Sequence, residues 1–204
     1  SPTNHRYNTT DFFEVDPYLG GDAAFISLRN AMDAAKMRMI LDLTPNHCGH
    51  TSAWFTAAQA DINAPTAEYF TFYDHPNSYE CWLGIETLPK LNDASDALRG
   101  EMYRDDNGIM RYWLKPPFNA DGWRLDVWNM TARQGAQDLW HEIGREMRQA
   151  VKATNPDAYL FGENFFDSSS SLQGDELDAV MNYQGFSFPV WRWLAGHDIG
   201  AWWR

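Results

Sequence analysis

Apolar residues recur at helical spacing in two places along the chain. Phe25, Leu28, Met32 and Ala35 fall on one helical face, with Asp22 placed to cap the N-terminus. Leu139, Ile143, Met147 and Ala150 form a second stripe, which stops ahead of Asn155-Pro156. Both stripes read as core faces. Beside them lie four short apolar runs, at 39–43, 122–127, 159–162 and 179–183. Near-continuous apolar runs of this length suit parallel strands covered on both faces. Helices alternating with such strands predict an α/β fold. Polar residues stand in or just after each run: Asp42, Asn46 and His47, then Arg124 and Asp126, then Glu163, then Asn182. In a (β/α)8 TIM barrel the C-terminal strand ends carry the chemistry.

The rhythm breaks once. Leu43 and Gly122 are separated by 78 residues, far more than one strand-to-helix connection needs. Residues 44–92 are rich in aromatics, Pro, Asn and Asp and show weak periodicity, which predicts an irregular inserted subdomain over the active face. Residues 95–114 read as helical and return the chain to the barrel. The expected division is a barrel part at 1–43, subdomain B at 44–92, and a second barrel part at 93–204. No internal repeat or low-complexity tract interrupts it; 168–171 is a short serine loop.

Composition narrows the function classes. The chain has 204 residues, 44% hydrophobic and 22% charged, enough to bury a sizeable core. The net charge is −12 and no Lys/Arg cluster is present, so neither nucleic acid nor an anionic membrane is an expected partner. No apolar run approaches the ~20 residues of a membrane helix, and no signal-peptide pattern is visible. Cys48 and Cys81 make no disulfide framework; free thiols in a reducing cytoplasm are expected. Aromatic residues reach 15%, which leaves ring faces to spare for a ligand.

The strongest chemical signal is a pair of carboxylates. Asp126 lies at the end of an apolar strand, where a charge costs free energy unless it is paired. Arg124, two residues earlier, points to the same side and would keep Asp126 ionised, as a nucleophile requires. A purely structural Arg–Asp pair is the alternative. Glu163 closes the run 159–162 and is followed by Asn164, Phe165 and Phe166. Aromatic surroundings would raise its pKa, which suits a general acid; a surface-loop glutamate is the alternative. Two carboxyl groups at successive strand ends are what glycoside hydrolysis requires. A metal site including His47 and Asp42 is the other use of such a pair, but no His/Cys spacing resembles a zinc site. No phosphate-binding glycine loop and no Gly-x-Ser-x-Gly elbow is present.

Longer motifs surround these residues. Asp42-Leu43-Thr44-Pro45-Asn46-His47, Gly122-Trp123-Arg124-Leu125-Asp126-Val127-Trp128-Asn129 and Phe161-Gly162-Glu163-Asn164 resemble three signature regions of the α-amylase family of glycoside hydrolases, in the family's order. Leu88-Pro89-Lys90-Leu91-Asn92 resembles a further region of its neopullulanase–cyclomaltodextrinase branch. Within that branch His5-Arg6-Tyr7, Tyr112-Trp113-Leu114-Lys115, Met181-Asn182-Tyr183 and Gly185-Phe186-Ser187-Phe188-Pro189 are most similar to the bacterial maltodextrin glucosidases. The resemblance implies an Asp126 nucleophile, a Glu163 acid/base and an Arg124 that orients Asp126. It implies that His47 contacts the sugar at the cleavage point and that Tyr7 stacks beneath it. Asn129 would contact the sugar beyond the cleavage point, and Asp42 and Asn46 would shape the site. Most remaining aromatics read as core, with Trp82 and Phe165 as the exceptions.

The implied activity is retaining hydrolysis of α-1,4-glucosidic bonds in maltodextrins or a related α-glucan by a cytoplasmic bacterial enzyme. Cyclodextrin or pullulan hydrolysis, transglycosylation and a non-catalytic carbohydrate-binding remnant are the alternatives. No cofactor is implied, but in some members the counterpart of Asn46 touches a structural calcium. The family's third catalytic carboxylate follows barrel strand seven in a His-Asp context. Gly196-His197-Asp198 has that look, but Asp198 follows Glu163 by only 35 residues, half the family's spacing, and is read as a loop or helix-end residue. The chain is thus expected to hold barrel strands three to six of a longer enzyme. Oligomeric state, chain-length preference and exo or endo action stay open.

Overall fold

The computed structural model describes residues 1–196. His197 and Asp198 lie outside them. In chain order the helices are α1 (Gly21–Ala34), α2 (Ala53–Ala60), α3 (Asp96–Arg99), α4 (Ile109–Tyr112), α5 (Trp140–Thr154) and α6 (Phe188–Ala195). The strands are β1 (Ile40–Leu43), β2 (Phe72–Asp74), β3 (Ser78–Tyr79), β4 (Gly122–Leu125), β5 (Arg133–Gln134), β6 (Gln137–Asp138), β7 (Tyr159–Gly162) and β8 (Ala179–Val180).

Four strands form one parallel sheet in the order β1-β4-β7-β8. This is the arrangement expected of consecutive strands of a (β/α)8 barrel, with α5 as the crossover between β4 and β7. The ladder continues one residue past the strand ends. Asp126 N–H donates to the Leu43 carbonyl at 2.8 Å, and Glu163 N–H donates to the Leu125 carbonyl at 2.9 Å. Leu125 pairs with Gly162, so the register sets Asp126 and Glu163 side by side at the same edge of the sheet.

α5 packs Ile143, Met147, Ala150 and Val151 into the core with Trp123, Leu125 and Leu160, as its stripe predicts. It runs on to Thr154 and ends at Asn155, before Pro156.

α1 departs from expectation. Gly20, in the left-handed conformation, is its N-cap; Asp22 sits in the first turn and accepts from Val15 N–H at 3.3 Å. Leu28 is 54% exposed and Ala35 is exposed, while Arg29 is buried on ion pairs with Asp33 and Asp121. Asp121 also accepts from Met39 N–H at 2.8 Å, so a charged anchor joins the part of the expected stripe that does face the core, Phe25 against Trp113 and Phe118. The sheet is also less covered than its apolar runs suggest, with Ile40 and Tyr159 exposed.

Residues 44–92 contain α2 and the antiparallel β2–β3 hairpin. Ser52 caps α2, its Oγ accepting from Phe55 N–H at 3.2 Å. The expected helix at 95–114 is instead α3, a π-helical segment at Gly100–Arg104, and α4 beginning after Gly108. The fourth apolar run shortens to β8, because Asn182 adopts a left-handed φ of 49° that ends the strand.

Gly122 starts β4 with φ 154°, and a Cβ there would lie 2.0 Å from the Tyr159 carbonyl oxygen. Gly122→Ala must therefore push β4 off β7. It is expected to lower the unfolding free energy by on the order of 3 kcal/mol in denaturant titration.

Candidate active site

The sheet edge that carries Asp126 and Glu163 opens into a cleft of about 410 Å³. Tyr7, His47, Trp82, Arg124, Asp126, Glu163 and Phe165 are among its lining residues. Five of these seven are predicted site residues, and Trp82 and Phe165 are the two aromatics singled out from the core.

Arg124 organises the charges. Its position in β4, two residues before Asp126, aims both side chains to one side. Nη1 donates to Asp126 Oδ1 at 2.7 Å and to Asp42 Oδ1 at 2.8 Å, while Nη2 lies 2.9 Å from Glu163 Oε2. Asp42 reaches this point because it pairs with Arg124 across the β1–β4 register. Burial opposes the guanidinium charge, but the three carboxylates outweigh it and hold the Arg124 pKa above its ordinary value.

Sharing has a consequence for Asp126. Burial is the largest influence on its carboxyl and pushes the pKa up to about 7. The Arg124 hydrogen bond and charge pull it down, while Glu163 and Asp42 push it up. Arg124 thus favours the ionised form of Asp126, as expected, but burial and the neighbouring carboxylates work against it. One cation divided among three carboxylates does not offset the burial of Asp126.

Glu163 Oε2 also accepts from Val127 N–H at 3.0 Å. Val127 presents that N–H from a left-handed φ of 48°, a costly conformation for a β-branched residue. Tyr183 hydrogen-bonds Glu163 through its hydroxyl; burial, then the Glu163 charge, raises the Tyr183 pKa. Its ring meets Phe165 with centroids 4.7 Å apart. Glu163 is thus held by polar donors as well as by the aromatics its sequence neighbours suggest.

Tyr7 lies over the opposite side of the Arg124 group. Its hydroxyl donates to Asp42 Oδ2 at 3.1 Å, and the guanidinium carbon sits 5.9 Å from its ring centroid. His47 is buried, with Trp82 stacked on it at 5.7 Å between centroids. Burial, then the Lys90 charge, lowers the His47 pKa to about 4, which makes it neutral. Asn129 N–H donates to the Glu163 carbonyl oxygen at 3.3 Å, and its buried Oδ1 has no hydrogen-bond partner among the described residues. Asn129, Asp42 and Asn46 do not line the cleft.

Two residues join the site without a site signal of their own in the sequence. Tyr183 stands within the motif Met181-Asn182-Tyr183. Lys90 stands within Leu88-Pro89-Lys90-Leu91-Asn92, and it is buried with its Nζ donating to Asn46 Oδ1 and, at 2.8 Å, to the Met130 carbonyl. That contact bears on calcium. The Asn46 oxygen that a calcium would use already faces an ammonium, so the residues here do not fit the metal. Among the described residues no group of three or more His, Cys, Asp or Glu could hold a metal ion. Cys48 and Cys81 are free thiols.

A parallel α/β sheet with a buried and a half-buried carboxylate at adjacent C-terminal strand ends is a layout that barrel glycosidases use. Residues 1–198 match the α-amylase catalytic domain, and the chain belongs to that family. It is 33% identical over 208 residues to a cyclomaltodextrinase of Geobacillus thermopakistaniensis, covering 98% of this chain and 33% of that protein. It is 32% identical to the intracellular maltogenic amylase of Bacillus subtilis, covering 98% of this chain and 32% of the other. The cyclic α-maltosyl-(1→6)-maltose hydrolase of Arthrobacter globiformis superposes with a TM-score of 0.82 at 30% identity, over 96% of this chain and 43% of that one. The chain thus spans about a third of the length of these curated relatives. Among the described residues no helix is long and apolar enough to cross a membrane.

The raised Asp126 pKa makes a stability prediction. An acid whose pKa is higher folded than unfolded costs stability once pH exceeds the unfolded value, and the full cost is present above the folded one. Asp126→Asn should therefore stabilise the empty protein at pH 8 by on the order of 1–3 kcal/mol, with the gain shrinking toward pH 4. Urea unfolding at the two pH values measures it, and a variant less stable at pH 8 contradicts the assignment.

Proposed function

We propose that this chain carries the reacting carboxylates of a retaining α-glucan hydrolase that cleaves α-1,4-glucosidic bonds in maltodextrins. The observation that carries the reading is the shared guanidinium. Asp126 and Glu163 sit on the two terminal nitrogens of Arg124, at adjacent strand ends, facing one cleft. Retention needs the two carboxyl groups about 5–5.5 Å apart, whereas inversion needs room for a water between them.

In the first step an Asp126 carboxylate oxygen attacks the anomeric carbon. The bond to the departing sugar breaks, and the Glu163 carboxylic acid gives its proton to the leaving oxygen. In the second step the Glu163 carboxylate takes a proton from water, the water oxygen attacks the anomeric carbon, and the ester to Asp126 opens. Arg124 orients Asp126 throughout. Tyr7, Trp82 and Phe165 offer ring faces to the sugar, and His47 offers a hydrogen bond. Asn129, whose N–H holds the Glu163 carbonyl, would act on a sugar beyond the cleavage point only through Glu163, while Asp42 and Asn46 hold Arg124 and His47. These groups supply the acid, base and nucleophile from the chain itself, so the proposed reaction takes no cofactor.

The α-glucan class is supported by the family and by the relatives' names, which speak of cyclodextrins and maltose units. A second reading keeps the site and changes the substrate to cyclodextrin or pullulan, as in the relatives named cyclomaltodextrinase and neopullulanase. Product analysis on maltotriose, cyclodextrin and pullulan separates the two. A cytoplasmic location is proposed on the free thiols and on the intracellular name of the Bacillus subtilis relative.

Hydrolysis of maltotriose by the full-length protein, followed by proton NMR, should show the α-anomer forming first; the β-anomer first would sink the retaining mechanism. Glu163→Gln should lower kcat on maltotriose by about 10²–10⁴. The loss should be much smaller on an aryl glycoside whose leaving group needs no proton. An equal loss on both substrates removes Glu163 from the acid role.

A further inference from the structure

Lys90 touches neither Asp126 nor Glu163, yet it is buried where residues 44–92 meet the barrel. Its Nζ faces Asn46 Oδ1 and the Met130 carbonyl. An ammonium has three N–H donors and no acceptor, so it settles which end of the Asn46 amide faces it. The oxygen must face Lys90, and the amide NH2 then faces His47 Nδ1 at 3.1 Å. An amide NH2 only donates, so Nδ1 accepts. A neutral imidazole that accepts at Nδ1 carries its proton on Nε2.

We infer that Lys90 is a positioning residue that, through Asn46, holds His47 as the Nε2–H tautomer and so makes it a hydrogen-bond donor to the sugar in the cleft. His47 lines the cleft beside Trp82, and its Nε2 is buried with no hydrogen-bond partner among the described residues. A buried donor with at most the Tyr7 carbonyl to receive its proton gains from a ligand oxygen. The neutral state of His47 follows from burial first and then the Lys90 charge, which outweigh the pull of the Tyr7 carbonyl. Burial lowers the Lys90 pKa to about 8, and Asp93, then Glu80, pull the other way, so Lys90 stays an ammonium at neutral pH. The donor role rests on the proposed sugar cleft; the tautomer does not, being a property of the free protein.

The test is nitrogen-15 NMR of histidine-labelled full-length protein without ligand. The long-range nitrogen–proton pattern distinguishes the two tautomers. His47, assigned by its loss in a His47→Gln variant, should show a proton on Nε2 only. Asn46→Asp keeps an oxygen for Lys90 but turns a second oxygen toward Nδ1, and should move a proton there. Lys90→Met should release the single tautomer, and Lys90→Arg should restore it. Asn46→Asp should also lower kcat/KM on maltotriose by about ten-fold, the worth of one well-made hydrogen bond. An Nδ1–H or mixed wild-type His47 overturns the inference, as does an unchanged tautomer in folded Asn46→Asp protein. An Nε2–H tautomer in a protein that turns over no α-glucan upholds the relay and defeats the proposed function instead.

Discussion

The site depends on one guanidinium placed among three carboxylates. Arg124 is mostly buried, and so are Asp126 and Glu163, with side-chain exposures of 13%, 8% and 12%. Charges so removed from water persist only when paired and hydrogen-bonded. Arg124 satisfies both carboxylates at once and takes Asp42 as a third partner on the solvent side. The arrangement is over-subscribed, and the surplus negative charge falls on the most deeply buried member, Asp126. Such crowding of negative charge is unfavourable in the empty site. Under the proposed function, a ligand that gathers positive charge at the anomeric carbon would relieve it.

The backbone makes this crowding unavoidable. The β1–β4 register sets Asp42 opposite Arg124, and the extended ladder sets Asp126 beside Glu163. Gly122 lets β4 approach β7 closely enough for that ladder to form. Val127 then turns left-handed straight after Asp126, and its N–H closes on Glu163. Lys90 ties residues 44–92 to the barrel part through the Met130 carbonyl, and through Asn46 it reaches His47.

Much of this was legible in the sequence. The four apolar runs located the parallel strands, and the polar residues at their ends located Asp42, His47, Arg124, Asp126 and Glu163. What periodicity did not show follows from longer-range pairing. The α1 stripe holds at Phe25 but not at Leu28, because Asp121, distant in sequence, draws Arg29 inward and leaves Leu28 at the surface. The helix expected over 95–114 is interrupted at Gly108, whose backbone lies against the Gly100 carbonyl. The Asp126 pKa could not be read from Arg124 alone, since the competing carboxylates come from β1 and β7. Lys90 and Tyr183 carried no pattern that separated them from lobe and core. Their roles appear only once Asn46 and Glu163 have positions.

The central claim is that Asp126 is the atom donor for a covalent sugar ester. It is tested most directly by trapping that ester. Full-length protein incubated with a 5-fluoro-α-glucosyl fluoride, which slows hydrolysis of such intermediates, is digested and its peptides weighed. The account predicts one added fluoroglucosyl group, on the peptide containing Asp126 and localised to that residue by fragmentation. A label on Glu163 or on another carboxylate, or a fully active protein that accumulates no label, contradicts it.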